Sequence, residues 1–207
     1  MTDTLAQLIT KLQALLIGTP TTITTATCTA GIRQALLKMN LEAPQHAAEL
    51  IDAVSEQLEY EISDSSVISI VDVLLQGTDT YNDYNTPLLF DPYFEDDRPF
   101  FRLRAPQADG SVLIARYTIP YTINGLDGAT ASTLPALHDA ILLDGAGWQT
   151  CLVLAAGHVE TINMNVDVTA NFEKMAEHFR WAFVAGLANI GRRPTPRAEQ
   201  ADFGWMV

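Results

Sequence analysis

Hydrophobic residues recur at helical spacing towards both ends of the chain. Apolar positions return every three or four residues in 3–17 and again in 26–40. The same spacing reappears in 133–157 and in 168–190. A period of about 3.6 residues is typical of helices that bury one face. We therefore expect two helices before the middle of the chain and two after it.

Between these helices the hydrophobic period changes to two. Apolar and polar residues alternate in 56–62, whereas 67–75 is apolar on both faces. Two further short runs, 99–104 and 111–119, are rich in β-branched and aromatic residues. The Asp-Gly pair at 109–110 is a hairpin turn signal, so we expect these two runs to pair. The middle of the chain is thus predicted to be a small antiparallel sheet.

Two other stretches carry no clear period. Residues 44–54 are ambiguous, because a proline at a first turn and the apolar residues after it fit one or two further helical turns. Residues 76–98 contain glycine, asparagine, proline and many acids, and predict a long loop. Its expected aromatic anchors are Tyr81, Tyr84, Phe90, Tyr93 and Phe94.

The order of these elements predicts an α+β fold. We expect a helical bundle from the N- and C-terminal helices, an inserted small antiparallel β-sheet and an extended C-terminal tail. The predicted helical core takes 1–54 and 131–190, the β-rich lobe takes 55–130, and the C-terminal docking arm takes 191–207. Glycines at 145 and 147, inside a predicted helix, either permit close helix packing or mark a kink.

Charge narrows the possible partners. The 207 residues include 12 Lys and Arg against 25 Asp and Glu, for a formal net charge of -13. This balance disfavours binding of nucleic acid or anionic membranes through a basic surface. Residues 39–97 hold 14 acids and no Lys or Arg. Such an acidic body aids solubility, and it also suits a channel wall along which a polyanion slides without sticking.

Cysteine usage and the apolar runs indicate where the protein is found. Cys28 and Cys151 have no metal-binding spacing and are interpreted as buried, reduced thiols of a cytosolic protein. No run of consecutive apolar residues reaches the ~18 that a membrane span needs. The N-terminus has no basic segment ahead of its apolar positions, unlike a secretory signal. We therefore expect the product to stay where it is made.

No motif predicts catalysis convincingly. The chain lacks the nucleophile-elbow, phosphate-loop, zinc-protease and dinucleotide-binding patterns, and no two histidines are three or four residues apart. The best enzyme candidate is the acidic set Asp91, Glu95, Asp96 and Asp97, because clustered carboxylates bind Mg²⁺ or Ca²⁺ and activate water. A metal-dependent hydrolase or nuclease is therefore the alternative function. The simpler interpretation is a solvated acidic surface or channel lining, with no catalytic residue, metal or cofactor.

The C-terminal segment combines arginines with apolar residues at its end. These residues are Arg192, Arg193, Arg197, Phe203, Trp205 and Met206. Arginine and tryptophan are favoured anchors at protein interfaces. We interpret the segment as an arm that docks on a partner; the alternative is that it folds back on its own domain.

Three segments carry a resemblance to a known family. They are ITTATCTAGIRQALLKMN at 23–40, VLIARYTIPYTINGLDGATASTLPALHDAILLDGAG at 112–147, and the pair WQTCLVLAAG and NVDVTANFEKMAEHFRWAFVAGL. Within the second, a strand ends in Tyr117-Thr118-x-Pro120, and a Thr-x-Pro helix start at 133–135 is followed by Asp139. In this pattern the chain resembles the head-to-tail connector proteins, or adaptors, of tailed bacteriophages.

The resemblance implies a non-enzymatic structural protein of the virion neck, made in the host cytoplasm. Such adaptors form a ring, commonly of twelve copies, beneath the portal. The ring extends the DNA channel and joins the capsid to tail or stopper proteins, and DNA passes through it without specific binding. The C-terminal segment would reach the portal protein. A monomeric host-side binding or regulatory module is a third possibility.

Overall fold

The computed structural model describes residues 3–16, 23–77, 85–159 and 166–191. Helices and antiparallel strands follow each other in the α+β order that the hydrophobic pattern predicts, which confirms the fold class. The chain divides into two compact units. The helical unit comprises Met1–Ala43 with Thr122–Val207, and the β unit comprises Pro44–Tyr121.

Four helices build the helical unit. Thr4 caps the first of them in a capping box with Gln7, and Thr24 caps the second. The helices are α1 Leu5–Leu15, α2 Thr25–Glu42, α3 Asp139–Val159 and α4 Val166–Gly191, with a short 3₁₀ helix Ala136–His138 before α3.

Helix α3 packs against α1, α2 and α4. Its glycines permit this close packing: a Cβ on Gly145 would lie 2.7 Å from Phe183 Cε2 and 2.9 Å from Ala35 Cβ. Close packing, rather than a kink, is therefore the correct interpretation of this glycine. By length and composition alone Ala136–Gly157 also qualifies as a membrane span. Its contacts with three helices account for the same apolar character.

Two antiparallel sheets build the β unit. One has the strand order β1-β7-β3-β4 and the other the order β2-β6-β5. Their buried side chains form one core around Phe101, which stacks on Tyr60 at 5.5 Å between ring centroids. The strands are β1 Gln45–Asp52, β2 Glu59–Glu61, β3 Ser69–Leu75, β4 Thr86–Pro87, β5 Phe90–Glu95, β6 Arg98–Leu103 and β7 Val112–Ile119.

The structure corrects three local predictions. Residues 45–52 form a strand rather than further helical turns, because every second side chain is half-buried and β7 pairs along the whole segment. The predicted loop 76–98 contains β4 and β5. The Asp-Gly turn forms, but it does not pair 99–104 with 111–119. Since Gly110 N–H donates to Ala53 O at 3.0 Å, the turn instead extends the pairing of β1 with β7.

Candidate assembly surfaces

The predicted acidic cluster begins as a hairpin turn. Asp96 and Asp97 form the two-residue loop between β5 and β6, with φ angles of 49° and 61°. Two consecutive positive φ angles define the turn whose twist matches that of the flanking strands. Aspartate tolerates this left-handed region better than most residues. Local backbone geometry therefore accounts for two of the four acids.

The four acids do not converge on one centre. The Asp91 carboxylate accepts a hydrogen bond from Arg104 at 3.0 Å. Glu95 lies four residues further along β5, which is roughly 13 Å at 3.3 Å per residue. Within the described ranges, no group of three or more His, Cys, Asp or Glu side chains is placed to hold a metal ion. The four carboxylates thus belong to an exposed acidic surface of the β unit.

Every arginine of the β unit is engaged in an ion pair. The unit contains 14 Asp and Glu, four Arg and no Lys. The pairs are Arg98–Glu61 at 3.1 Å, Arg102–Glu59 at 3.9 Å, Arg104–Asp91 at 3.0 Å and Arg116–Asp72 at 3.5 Å. Exposed pairs of this kind contribute little stability. Their main consequence is electrostatic, because each cation is matched by an acid and an excess of ten acids remains.

The helical unit also exposes large apolar side chains, and two pairs of them lie on α2 and α4. On α2, Leu41 is 82% exposed and Leu37 is half-exposed, and the two lie one turn apart on the same face. On α4, Trp181 is 71% exposed and Val184, three residues on, is also exposed. We call these pairs the α2 surface and the α4 surface. Exposed apolar side chains that lie next to one another are candidates for an interaction site.

Trp148 of α3 connects the two helices that carry these surfaces. Lys38 Nζ of α2 lies 4.9 Å from the Trp148 ring, and the Arg180 guanidinium carbon of α4 lies 5.8 Å from it. A cation over an indole face is attracted by the ring quadrupole. Both surfaces are therefore fixed to one central helix.

The hydrophobic pattern of the sequence does not by itself predict these exposed apolar surfaces. The helical spacing of 168–190 corresponds to a buried face of α4 that includes Phe172, Ala176 and Phe183. Trp181 lies outside this buried face, so its position in the helical period indicates that its side chain is exposed. The six predicted docking residues of the arm, from Arg192 to Met206, lie outside the described residues.

A carboxyl pair lies where α1 and α3 begin. Asp139 is only 8% exposed and shares a side-chain hydrogen bond with Asp3. Burial, followed by the neighbouring Asp3, raises the pKa of Asp139 to about 6. Lys11 bonds Asp3 and lowers the pKa of that carboxyl. The two carboxyls therefore share one proton in mildly acidic solution.

Comparisons with known proteins find similar chains among solved structures. No family model matches the chain, and no curated protein matches it. Among solved structures, the chain is similar to one in the virion of a native gene transfer agent particle. The identity is 13% and the TM-score 0.31, covering 83% of this chain and 87% of that one.

Two further similar chains come from neck structures of the same kind of particle. One is the neck of an empty gene transfer agent particle computed with C6 symmetry, at 13% identity, TM-score 0.31 and the same coverage. The other is the neck of a native particle computed with C12 symmetry, at 12% identity and TM-score 0.29, covering 81% of this chain and 86% of that one.

Proposed function

We propose that this chain is a structural protein of the neck of a tailed-phage-like particle, an adaptor that forms a ring beneath the portal. The ring would extend the DNA channel and join the capsid to tail or stopper proteins. The resemblance of three segments to phage adaptors supports this proposal. The observation that carries it is the presence of two different apolar surfaces on the helical unit.

A ring of identical subunits needs two different surfaces on each copy. Heterologous contacts join one patch of a subunit to another patch of its neighbour and close when the rotation returns to the start. The α2 surface offers Leu37 and Leu41, and the α4 surface offers Trp181 and Val184. A contact between the α2 surface of one copy and the α4 surface of the next is heterologous when it is made once rather than reciprocally. Tryptophan is also among the residues that contribute most to interface energy.

The acidic β unit suits the wall of a DNA channel. Its arginines are all paired with acids, so a passing phosphate backbone meets no free cation of this unit. A basic lining would retain DNA by releasing its counterions. An acidic lining repels the phosphates at short range, since charges act over about 8 Å at physiological salt. DNA would therefore pass without specific binding.

The C-terminal arm is proposed to dock on the portal protein. Its arginines and terminal aromatic and methionine residues are suited to an interface. Deleting 191–207 should abolish binding to the portal while the far-ultraviolet circular dichroism and melting temperature stay near those of the full chain. Retained portal binding by the truncated chain would refute this assignment.

The hydrolase alternative makes a separate prediction. A carboxylate metal site would give thermal stabilisation by Mg²⁺ or Ca²⁺ that disappears in the double variant Asp96→Asn, Asp97→Asn. The turn geometry of these residues predicts no such stabilisation. A clear divalent-dependent rise in melting temperature, lost in the double variant, would favour the hydrolase.

Affinity capture of the full chain from its native source tests the proposed function. We expect portal and tail components to be recovered with it. Variants that place a charge on one apolar surface, Leu41→Asp and Trp181→Asp, should reduce recovery of untagged copies of the chain itself. A capture that contains no virion protein would contradict the proposal.

A further inference from the structure

The edges of the two sheets are not equally protected. β4 is two residues long and includes Pro87, β2 is three residues long, and β5 contains Pro92. Short edge strands and prolines prevent a further strand from pairing. β1 has eight residues, lacks proline and lysine, and pairs with β7 in an uninterrupted register. Among the described strands, β1 is thus the long edge strand without proline, and its inward-facing charge, Glu49, accepts a hydrogen bond from Ser63 N–H at 3.0 Å.

The exposed face of β1 continues an apolar row across its sheet. Leu50 is 66% exposed and lies opposite Ile114 of β7, which in turn lies opposite Leu74 of β3. A strand added beside β1 would place one of its residues directly opposite Leu50. An apolar residue at that position would extend the row by one strand.

The exposed face of β1 also favours a basic residue at one position of an added strand. Asp52 is exposed on the side of β1 that carries Leu50, two residues away, and makes no ion pair within the described ranges. The partner residue opposite Asp52 lies two residues from the one opposite Leu50, because strand side chains alternate. A lysine or arginine there would complement Asp52, since opposite charges on facing strands attract.

The charge distribution also indicates where that cation comes from. The four arginines of the β unit already have partners, and residues 39–97 contain no Lys or Arg. The β unit of a second copy would bring another acidic surface to the edge, which is unfavourable, and the crosslink described below tests whether a basic segment of a second copy binds instead. We infer that the β1 edge accepts an extended segment of a different protein, with a Lys or Arg two residues from an apolar residue. This inference rests on the proposed function, because the partner is expected in the assembled particle.

The test compares the free protein with particles purified from the native source. Hydrogen exchange of the β1 amides should slow at least tenfold in the particle, whereas the amides of β2, a three-residue edge strand, should not slow to that extent. A photocrosslinking residue in place of Leu50 should attach to a segment of another protein with the stated basic and apolar spacing. Leu89, 72% exposed and outside the strands, provides the matched control position.

The outcomes separate the inference from the function on which it rests. Equal β1 exchange in free protein and particle, or a position-50 crosslink to a second copy, overturns the inference and leaves the neck assignment intact. The same follows if positions 50 and 89 attach to identical segments. Absence of the chain from purified particles overturns both. Finally, once the crosslinked segment is identified, we expect Leu50→Lys to weaken its binding to this chain at least tenfold. Leu89→Lys should leave that binding unchanged.

Discussion

The two units of this chain expose different chemistry. The β unit is acidic, and each of its arginines is matched by a carboxylate. The helical unit exposes leucine, tryptophan and valine on two helices. Apolar surfaces favour permanent association, whereas an acidic surface favours contact with nothing that carries phosphate. We propose from this difference that ring contacts form on the helical unit and that the β unit faces the DNA channel.

The largest effect is expected in the core of the β unit. Phe101 is fully buried and stacks on Tyr60. Phe101→Ala should lower the free energy of unfolding by about 3–5 kcal/mol, because removing a buried ring leaves a cavity. Phe94→Ala is the control, since the Phe94 side chain is half-exposed on β5, and it should cost less than about 1 kcal/mol. Urea denaturation measures both, and equal losses would contradict this packing.

The next effect concerns helix packing in the helical unit. A Cβ on Gly31 would lie 2.4 Å from Thr150 Oγ1 and 2.9 Å from the Ala146 carbonyl oxygen. Gly31→Ala should therefore destabilise the protein by about 1–3 kcal/mol. Gly157→Ala in α3 is the matched control, because nothing lies within 4 Å of its added Cβ. That control should be neutral or gain up to about 1 kcal/mol from helix propensity. A neutral Gly31→Ala would show that α2 and α3 are not packed this closely.

The carboxyl pair of the helical unit gives a pH dependence. The pKa of Asp139 is raised in the folded state to about 6, so the folded state binds the extra proton between about pH 4 and 6. Stability from this group is fully present below its unfolded pKa and is lost as the pH rises through 6. Among the described residues, the charged groups that act on Asp139 are Asp3 and Lys11.

Asp139→Asn should remove this pH dependence, because the amide keeps a donor for Asp3 and cannot titrate. The difference in unfolding free energy between variant and parent should change by about 2 kcal/mol between pH 4 and pH 7.5, in favour of the variant at the higher pH. Asp97→Asn is the control, since asparagine also tolerates the positive φ of that turn. Parallel pH profiles for Asp139→Asn and the parent would contradict a shared proton.

The smallest effect is expected from the ion pairs of the β unit. Arg98→Ala removes the exposed pair with Glu61 and should change the unfolding free energy by less than about 1 kcal/mol. The matched variant Arg102→Ala, which removes the pair with Glu59, should behave alike. Urea denaturation at low and high salt checks both. A loss of several kcal/mol in either variant would show that these pairs determine the fold rather than the surface charge.

The hydrophobic pattern predicts the helices well and the strand pairing poorly. Helical spacing is local, so α2 and α4 are found within a few residues of their predicted limits. Pairing is not local: β7 pairs with β1, about seventy residues earlier, rather than with its predicted neighbour β6. β5 was assigned to a loop because its Asp-Pro pair and flanking acids are rare in strands, although both are tolerated at an edge.

The candidate surfaces also combine features that the sequence predicts with features that depend on non-local packing. The excess of acids in the β unit was visible by counting, because charge does not depend on the fold. The pairing of all four arginines was not, because Arg116 and Asp72, for example, meet only through the register of β7 with β3. Leu41 and Met39 are both apolar residues of α2, yet Leu41 is exposed and Met39 is fully buried. Which apolar residue of a helix is exposed and which is buried depends on how the helix packs, and the composition of the helix does not show it.

Native mass spectrometry of the full chain incubated with the portal protein of its source tests the central claim most directly. We predict a closed ring for the parent. Leu41→Asp or Trp181→Asp alone should give no ring, because each removes one surface. An equimolar mixture of the two variants should give pairs that stop at two copies, since one intact α2 surface and one intact α4 surface remain to meet. Rings formed by either variant alone would contradict a ring built from contacts between the α2 and α4 surfaces. A parent that stays monomeric with the portal protein would contradict the proposed ring itself.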